Sequence, residues 1–187
     1  MRTRHNGPFV LPVRDIVRHP GEMREHAFSV TLAEQWGEGI VVLEAGSQLD
    51  LDVRLESVHE GILVSGTADG IYSGVCGRCL TDIAAPVEVE FQELFAYPSE
   101  EETDFEVQDD HVDLETLVRD AAVLSLPFQP VCQPDCPGLD PITGERLTES
   151  TGVETVAPID PRWSALQQIT DQGGAEESRA PENTEES

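Results

Sequence analysis

The sequence predicts an α+β protein, in which a mainly antiparallel β-sheet or partly closed barrel is joined by one long amphipathic helix and a disordered acidic tail. Three observations support this prediction. Short β-branched segments alternate with polar residues between positions 27 and 97, apolar residues recur at helical spacing after position 113, and residues 148–187 are mostly polar. With 39% apolar residues among 187, a core can form over part of the chain.

Glycine and acidic turns divide the β-rich region. We expect turns at residues 36–39, 46–47 and 60–61. Strands joined by such short turns pair antiparallel, and one face of the resulting sheet meets solvent. Residues 9–13 are also expected to add to a sheet. The predicted strands of the central region are residues 26–32, 39–44, 49–58, 61–75 and 85–97.

The amphipathic helix is predicted over residues 114–126. Asp113 is a suitable N-cap, and Pro127 should end the helix. An amphipathic helix of this kind should lie across the sheet. Its apolar residues at helical spacing are Leu114, Leu117, Val118, Ala121, Ala122 and Leu124.

Two acidic segments flank this helix. One lies within a predicted domain of residues 8–147, which follows a flexible N-terminus at residues 1–7, and the other follows that domain. Residues 99–113 contain eight carboxylates and no basic residue, which predicts a flexible acidic linker rather than a cation site. Residues 148–187 predict a disordered acidic tail. Within it, residues 161–169 should form a short helix that docks either on a partner or on its own domain.

The net charge of −26 restricts the choice of partner. A field this negative repels phosphate backbones, so sequence-independent nucleic-acid binding is disfavoured and basic proteins are the expected partners. All 11 basic residues are arginine. Residues 1–24 hold five arginines against two carboxylates, which suggests either a binding arm or, as we favour, a loosely packed terminus that complements the acidic body.

The chain has neither a predicted membrane span nor a predicted signal peptide. No apolar run approaches the roughly 20 residues that a transmembrane helix needs, and the N-terminus lacks an apolar stretch. We therefore expect a cytoplasmic protein. Thiols stay reduced in that compartment, which makes disulfides less plausible than metal ligands or buried thiols.

Four cysteines form the most informative cluster. Two residues separate Cys76 from Cys79, and after 52 intervening residues Cys132 and Cys136 are separated by three. Two thiolates on one tight turn converge on a tetrahedral ion, and a second turn completes its shell. This pattern predicts a zinc site, while unliganded thiols and a disulfide or redox pair remain as alternatives.

Motifs of catalysis are missing from the sequence. The five histidines do not recur at metalloprotease spacing, and there is no nucleophile elbow, phosphate loop or dinucleotide fingerprint. Because the chain has no lysine, it can form neither a Schiff base nor a Walker lysine contact. These observations predict a protein that is not an enzyme and has no small-molecule substrate.

Several short segments together resemble one protein family. They are Cys-Gly-Arg-Cys-Leu at 76–80, Pro-Val at 86–87, Phe-Gln-Glu-Leu-Phe at 91–95, Leu-Val-Arg-Asp at 117–120, Leu-Ser-Leu-Pro-Phe-Gln-Pro-Val-Cys at 124–132 and Asp-Pro-Arg-Trp at 160–163. In these segments the chain resembles the YceD-type large ribosomal RNA subunit accumulation proteins. Residues 20–24 are similar to the entry segment of actinobacterial members, and the resemblance spans roughly residues 8–170.

This resemblance implies a non-enzymatic ribosome biogenesis factor that supports 23S rRNA accumulation or processing and large-subunit assembly. Its implied partners are a basic ribosomal protein or large-subunit precursor, and 23S rRNA directly or indirectly. The candidate contacts are Arg78, Arg119 and Trp163, although Arg78 could instead pair with a nearby carboxylate. The alternative functions are a cysteine-based zinc or redox-responsive module and a protein-interaction adaptor unrelated to ribosomes.

The chain departs from the family at residues 138–144. Many relatives have Gly-Leu-Cys-Pro-x-Cys-Gly there, whereas this chain has Asp140 and Thr143 at the cysteine positions. A metal site built from four C-terminal cysteines would therefore be broken. A site that joins the pair at positions 76 and 79 to the pair at 132 and 136 would be intact.

Overall fold

The computed structural model describes residues 7–98, 103–148 and 162. The described strands and helix all belong to the compact unit that ends at Thr148. In chain order they are β1 (Val10–Pro12), β2 (Met23–Thr31), β3 (Val41–Val42), β4 (Gln48–Ser57), β5 (Gly61–Val75), β6 (Asp82–Ala96), β7 (His111–Asp113) and α1 (Glu115–Ser125).

Five strands form an antiparallel sheet around β5. β4 pairs with one edge of β5, and β3 continues that edge beyond the end of β4. β6 pairs with the other edge along its whole length, and β2 pairs with the outer edge of β4. The mainly antiparallel sheet is confirmed. The alternative of a partly closed barrel is wrong for the described residues, because β2 and β6 lie at opposite edges and do not pair.

One face of this sheet forms the hydrophobic core. Every second residue of β4 from Leu49 to Leu55 is buried, in the same cluster as inward residues of β5 and β6. α1 contacts β6 and buries Leu117, Val118 and Ala122. Burying one such side chain contributes about 1.5–3 kcal/mol for a Leu or Val. The alternation of apolar residues therefore determines which face of the sheet lies inside.

Trp36 is a core residue rather than part of a surface turn. Its side chain is 1% exposed, and its ring centroid lies 5.6 Å from that of Phe9. The Trp36 backbone exchanges two hydrogen bonds of 2.9 Å with Leu43. The turn predicted at residues 36–39 follows it, at Gly37 and Gly39, whose φ values of 91° and 90° suit glycine.

The other strand predictions agree with the structure apart from their ends. β4 and β5 start and finish within one residue of the predicted ranges, whereas β2 and β6 each begin three residues earlier. β3 is two residues long instead of spanning residues 39–44, because only Val41 and Val42 pair with β5. Residues 10–12 do add to a sheet, which is the two-stranded pair of β1 and β7.

The helix is shorter than predicted. It has 11 residues, and its C-cap Leu126 adopts an extended conformation before Pro127, because the residue before a proline disfavours helical geometry. Leu114 rather than Asp113 is the N-cap, and the Asp113 carboxylate accepts a hydrogen bond of 3.0 Å from the Glu115 N–H. Leu124 is not on the buried face, since its side chain is 85% exposed.

The segment predicted as a flexible acidic linker is anchored from residue 103 onward. Val107 is buried in the core, and the rings of Phe95 and Phe105 lie 5.3 Å apart. The segment then enters β7, whose Val112 is fully buried. The apolar residues between the carboxylates supply these contacts, which a count of charges alone does not reveal.

The remaining predictions about the chain ends lie outside the described residues. These are the flexible N-terminus before residue 7, the disordered tail after Thr148 and, except for residue 162, the short helix at 161–169. None of the helices in the described ranges is long and apolar enough to cross a membrane. The domain limits of 8–147 stay a prediction.

Candidate metal centre

The first cysteine pair lies in the turn between β5 and β6. The Cys76 N–H donates to the Thr81 carbonyl oxygen at 2.8 Å, and the Leu80 N–H donates to the Cys76 carbonyl oxygen at 3.0 Å. Leu80 has a φ of 56°, a conformation that non-glycine residues rarely adopt. This closed turn holds Cys76 and Cys79 on the same side of the hairpin end.

The second pair reaches this turn after α1 ends. The Gly77 N–H donates to the Pro130 carbonyl oxygen at 2.8 Å. Arg78 then joins the two turns, because its Nη1 donates to the carbonyl oxygens of Pro134 and Cys136, both at 3.1 Å. These hydrogen bonds position the second turn directly beside the first.

The four sulfurs converge on one point. Their Sγ atoms all lie within 4.8 Å of one another, with 3.6 Å between Cys79 and Cys132 and 3.9 Å between Cys76 and Cys136. A tetrahedron whose centre is about 2.3 Å from each sulfur has edges of about 3.8 Å. The residues therefore fit a tetrahedral thiolate-bound metal ion.

The burial of the sulfurs matches that of a structural metal site. Cys76, Cys79 and Cys136 are buried and Cys132 is exposed, and all four are free cysteines. Four protein ligands complete a tetrahedral shell and leave no position for a substrate. Such a centre can hold an ion and crosslink the chain, but it offers no open coordination site for catalysis.

The two cysteine pairs have opposite shifts in pKa. Donation from the backbone N–H groups of Cys79 and Cys132 lowers the pKa of Cys76 to about 6, and the Thr81 side chain lowers the pKa of Cys79. Contact with the sulfurs of Cys136 and Cys79 raises the pKa of Cys132 to about 12. Burial raises the pKa of Cys136. Four thiolates this close need a cation before all can ionise.

Metal-ion binding at this centre should therefore depend steeply on pH. Cys132 and Cys136 must each lose a proton to become ligands, so at least two protons are released per ion, and the apparent affinity should rise at least about hundredfold from about pH 6.5 to about pH 7.5. The affinity weakens as the pH falls. Competition against a chromophoric chelator, calibrated at each pH, measures this change, and an affinity independent of pH would contradict it.

Comparison with known proteins identifies the family. The family model described as large ribosomal RNA subunit accumulation protein YceD matches residues 64–170, more than half of the 187 residues. The chain belongs to the YceD family. This match confirms the resemblance seen in the sequence, and it includes most of β5, all of β6 and α1, and the four cysteines.

The curated relatives extend this similarity over most of the chain. Uncharacterized protein Rv2926c of Mycobacterium tuberculosis is 41% identical over 166 residues, which cover 85% of this chain and 80% of the relative. Uncharacterized protein ML1660 of Mycobacterium leprae is 37% identical, with 85% and 76% covered. Uncharacterized protein YlbN of Bacillus subtilis is 26% identical over 102 residues, with 52% and 59% covered. No solved structure matches.

The segment at residues 138–144, which contains Asp140 and Thr143, forms a turn of its own. The Asp140 carboxylate accepts hydrogen bonds from the backbone N–H groups of Ile142 at 2.7 Å and Thr143 at 2.8 Å, and these bonds lower the pKa of Asp140. The Asp140 carboxylate thus closes this loop through two backbone hydrogen bonds. The described sulfur cluster needs neither of the missing cysteines.

The three candidate contact residues have different surroundings. Arg78 binds backbone carbonyls of the second cysteine turn rather than a carboxylate. Arg119 forms an ion pair of 2.9 Å with Glu34, and Trp163 lies outside the described residues. Their role in binding a partner or RNA remains a prediction. Arg146, which no sequence motif marks, also contacts the first cysteine turn, since its Nε donates to the Cys79 carbonyl oxygen at 3.2 Å.

Proposed function

We propose that this protein is a non-enzymatic, cytoplasmic ribosome biogenesis factor that supports 23S rRNA accumulation or processing and large-subunit assembly. Membership of the YceD family over residues 64–170 is the observation that carries this proposal. The family is described by its role in large-subunit rRNA accumulation and not by an enzymatic reaction. The closed set of four sulfurs supports a structural rather than a catalytic use of the site.

The proposed cofactor is one structural Zn²⁺, held by Cys76, Cys79, Cys132 and Cys136. Thiolate sulfur is a preferred zinc ligand, and the sulfur spacing fits its tetrahedral shell. The ion would supply a crosslink between the β5–β6 hairpin and the segment that follows α1. Binding only to the folded arrangement, it would stabilise that arrangement.

The charges of the open sheet face support a basic protein as the direct partner. The strand register places Asp50 of β4 opposite Asp69 of β5, which is in turn opposite Glu88 of β6. All three residues are exposed, and like charges aligned across strands repel one another. A cationic ribosomal protein would relieve this repulsion, whereas an rRNA backbone would increase it.

Depletion of the protein from its bacterial host tests the function. We expect the ratio of 23S to small-subunit rRNA and the amount of free large subunits to fall, and the intact gene to restore both. Because the cysteine site is structural, a C76S/C79S gene should restore less. An unchanged rRNA ratio would contradict the proposal. Reversible oxidation of the four thiols in cells that still contain the protein would then favour the redox-responsive alternative.

A further inference from the structure

An apolar groove lies beside the cysteine turns. Its walls are the loop at residues 37–41 and the segment at residues 126–131, and Gly77 and Arg78 of the first turn also line it. The groove has a volume of about 920 Å³. It shares Gly37, Glu38 and Val123 with a second depression of about 670 Å³ along α1, so the two form one continuous surface.

Four large apolar side chains line this surface and are exposed. Ile40 is 52% exposed, Leu124 85%, Phe128 91% and Val131 40%. Single exposed apolar residues are normal on a monomer, whereas a group of them along one groove marks an interaction surface. Burial of these side chains against a partner would supply the main favourable free energy of binding.

The charges at the α1 end of the groove indicate the kind of partner. Glu38 and Asp120 are exposed there, and neither forms an ion pair with any residue in the described part of the chain. Arg119, which also lines this end of the groove, is already paired with Glu34. The carboxylates at this end are therefore free to bind a cation from outside.

We propose that the groove binds a cationic amphipathic segment of a partner protein. The apolar side chains of that segment contact Ile40, Leu124, Phe128 and Val131, and its arginine or lysine residues contact Glu38 and Asp120. This proposal adds a binding site to the proposed function. It rests on that function for the class of the partner, which is a basic ribosomal protein. RNA and a second copy of the chain fit less well, because both bring negative charge to a protein of net charge −26.

The cysteine centre supports one wall of this groove. Gly77, which follows Cys76, donates the hydrogen bond that holds Pro130, and both residues line the groove. Removal of a metal from the four sulfurs would free this wall to move. Binding in the groove should therefore weaken when zinc is chelated.

Binding of a designed peptide to the full-length, zinc-loaded protein tests the inference. The probe is a fluorescent peptide of about 18 residues, with leucines on one face of the helix and arginines on the other. At about 0.15 M salt, fluorescence anisotropy should show binding to the wild type, and chelation of zinc should weaken it. Equally tight binding of a scrambled peptide of the same composition would overturn the proposal.

Two matched pairs of variants separate the groove from general acidity. L124S/F128S should weaken binding at least about tenfold, whereas I71S/I142S, which alters two exposed isoleucines outside the groove, should change it less than about twofold. E38Q/D120N should weaken binding more than E60Q/D104N, which removes the same charge from two exposed carboxylates that lie outside both the groove and the open sheet face. Circular dichroism melting curves control for folding.

Several outcomes would overturn the inference. One is an equal loss of peptide affinity in the two charge-matched variants. Another is displacement of the peptide by a single-stranded RNA oligonucleotide, and a third is a dimer of this chain that L124S/F128S converts to monomers.

Complementation in cells distinguishes failure of the groove inference from failure of the proposed function. If depletion lowers 23S rRNA and L124S/F128S restores it fully, the groove inference fails alone. If peptide binding behaves as expected but depletion leaves 23S rRNA unchanged, the proposed function fails.

Discussion

Replacing Cys76 with serine is expected to abolish stoichiometric zinc binding. It should also lower the melting temperature by about 10 °C when the free zinc concentration is roughly a thousandfold above the wild-type dissociation constant. Cys76 is fully buried, and its sulfur lies 3.9 Å from that of Cys136. A serine hydroxyl is a poor ligand for zinc compared with a thiolate. Elemental analysis and thermal unfolding followed by circular dichroism measure the two effects.

Chelation of the wild-type protein provides the matched control. Because the expected loss comes from the metal, a chelator should lower the melting temperature of the wild type towards that of C76S and should leave C76S unchanged. A wild-type protein with the same melting temperature with and without zinc would refute the structural role of the ion. A C76S protein that retains one zinc per chain would refute the ligand set.

Replacing Trp36 with alanine should lower the free energy of unfolding by about 3–5 kcal/mol, the cost of deleting a large buried aromatic side chain. Trp36 is 1% exposed and packs against Phe9 over the sheet. Deletion of the indole leaves a cavity that Phe9 and the other core residues around it cannot fill completely. Urea denaturation of the zinc-loaded protein measures the change.

The control for this prediction is Phe128→Ala. Phe128 is also a large aromatic residue, but it is 91% exposed, so its deletion should change the stability by less than about 0.5 kcal/mol. A loss below about 1 kcal/mol for Trp36→Ala would show that its ring does not stabilise the core. The comparison separates aromatic character from burial.

The cysteine centre lies beside the groove, so a metal bound there would affect both the stability of this region and the proposed binding of a partner. Arg78 and Gly77 hydrogen-bond to the second cysteine turn and to Pro130, and the same two residues line the groove. The crosslink that would stabilise the end of the chain would thus also shape the proposed docking surface. A metal bound at the four sulfurs would then affect the proposed binding without any catalytic step.

Most strands could be predicted because the pattern that encodes them is local. Alternating burial in β4 follows directly from alternating apolar residues, and the helix follows from apolar spacing and Pro127. The exceptions depend on distant contacts. β3 ends at Val42 because the Leu43 backbone pairs with Trp36 instead of with β5. The acidic segment after residue 103 is anchored because Val107 reaches the core.

The sequence by itself determined the antiparallel sheet, the position of the helix, the family and the choice of the four cysteines as candidate metal ligands. All of these depend on local residue spacing and short motifs. Only the tertiary structure decided that the sulfurs of residues more than fifty positions apart lie within 4.8 Å, that Trp36 is buried and that Leu124 is exposed. The physical reason is that convergence and burial depend on which distant segments pack together, and no local pattern contains that information.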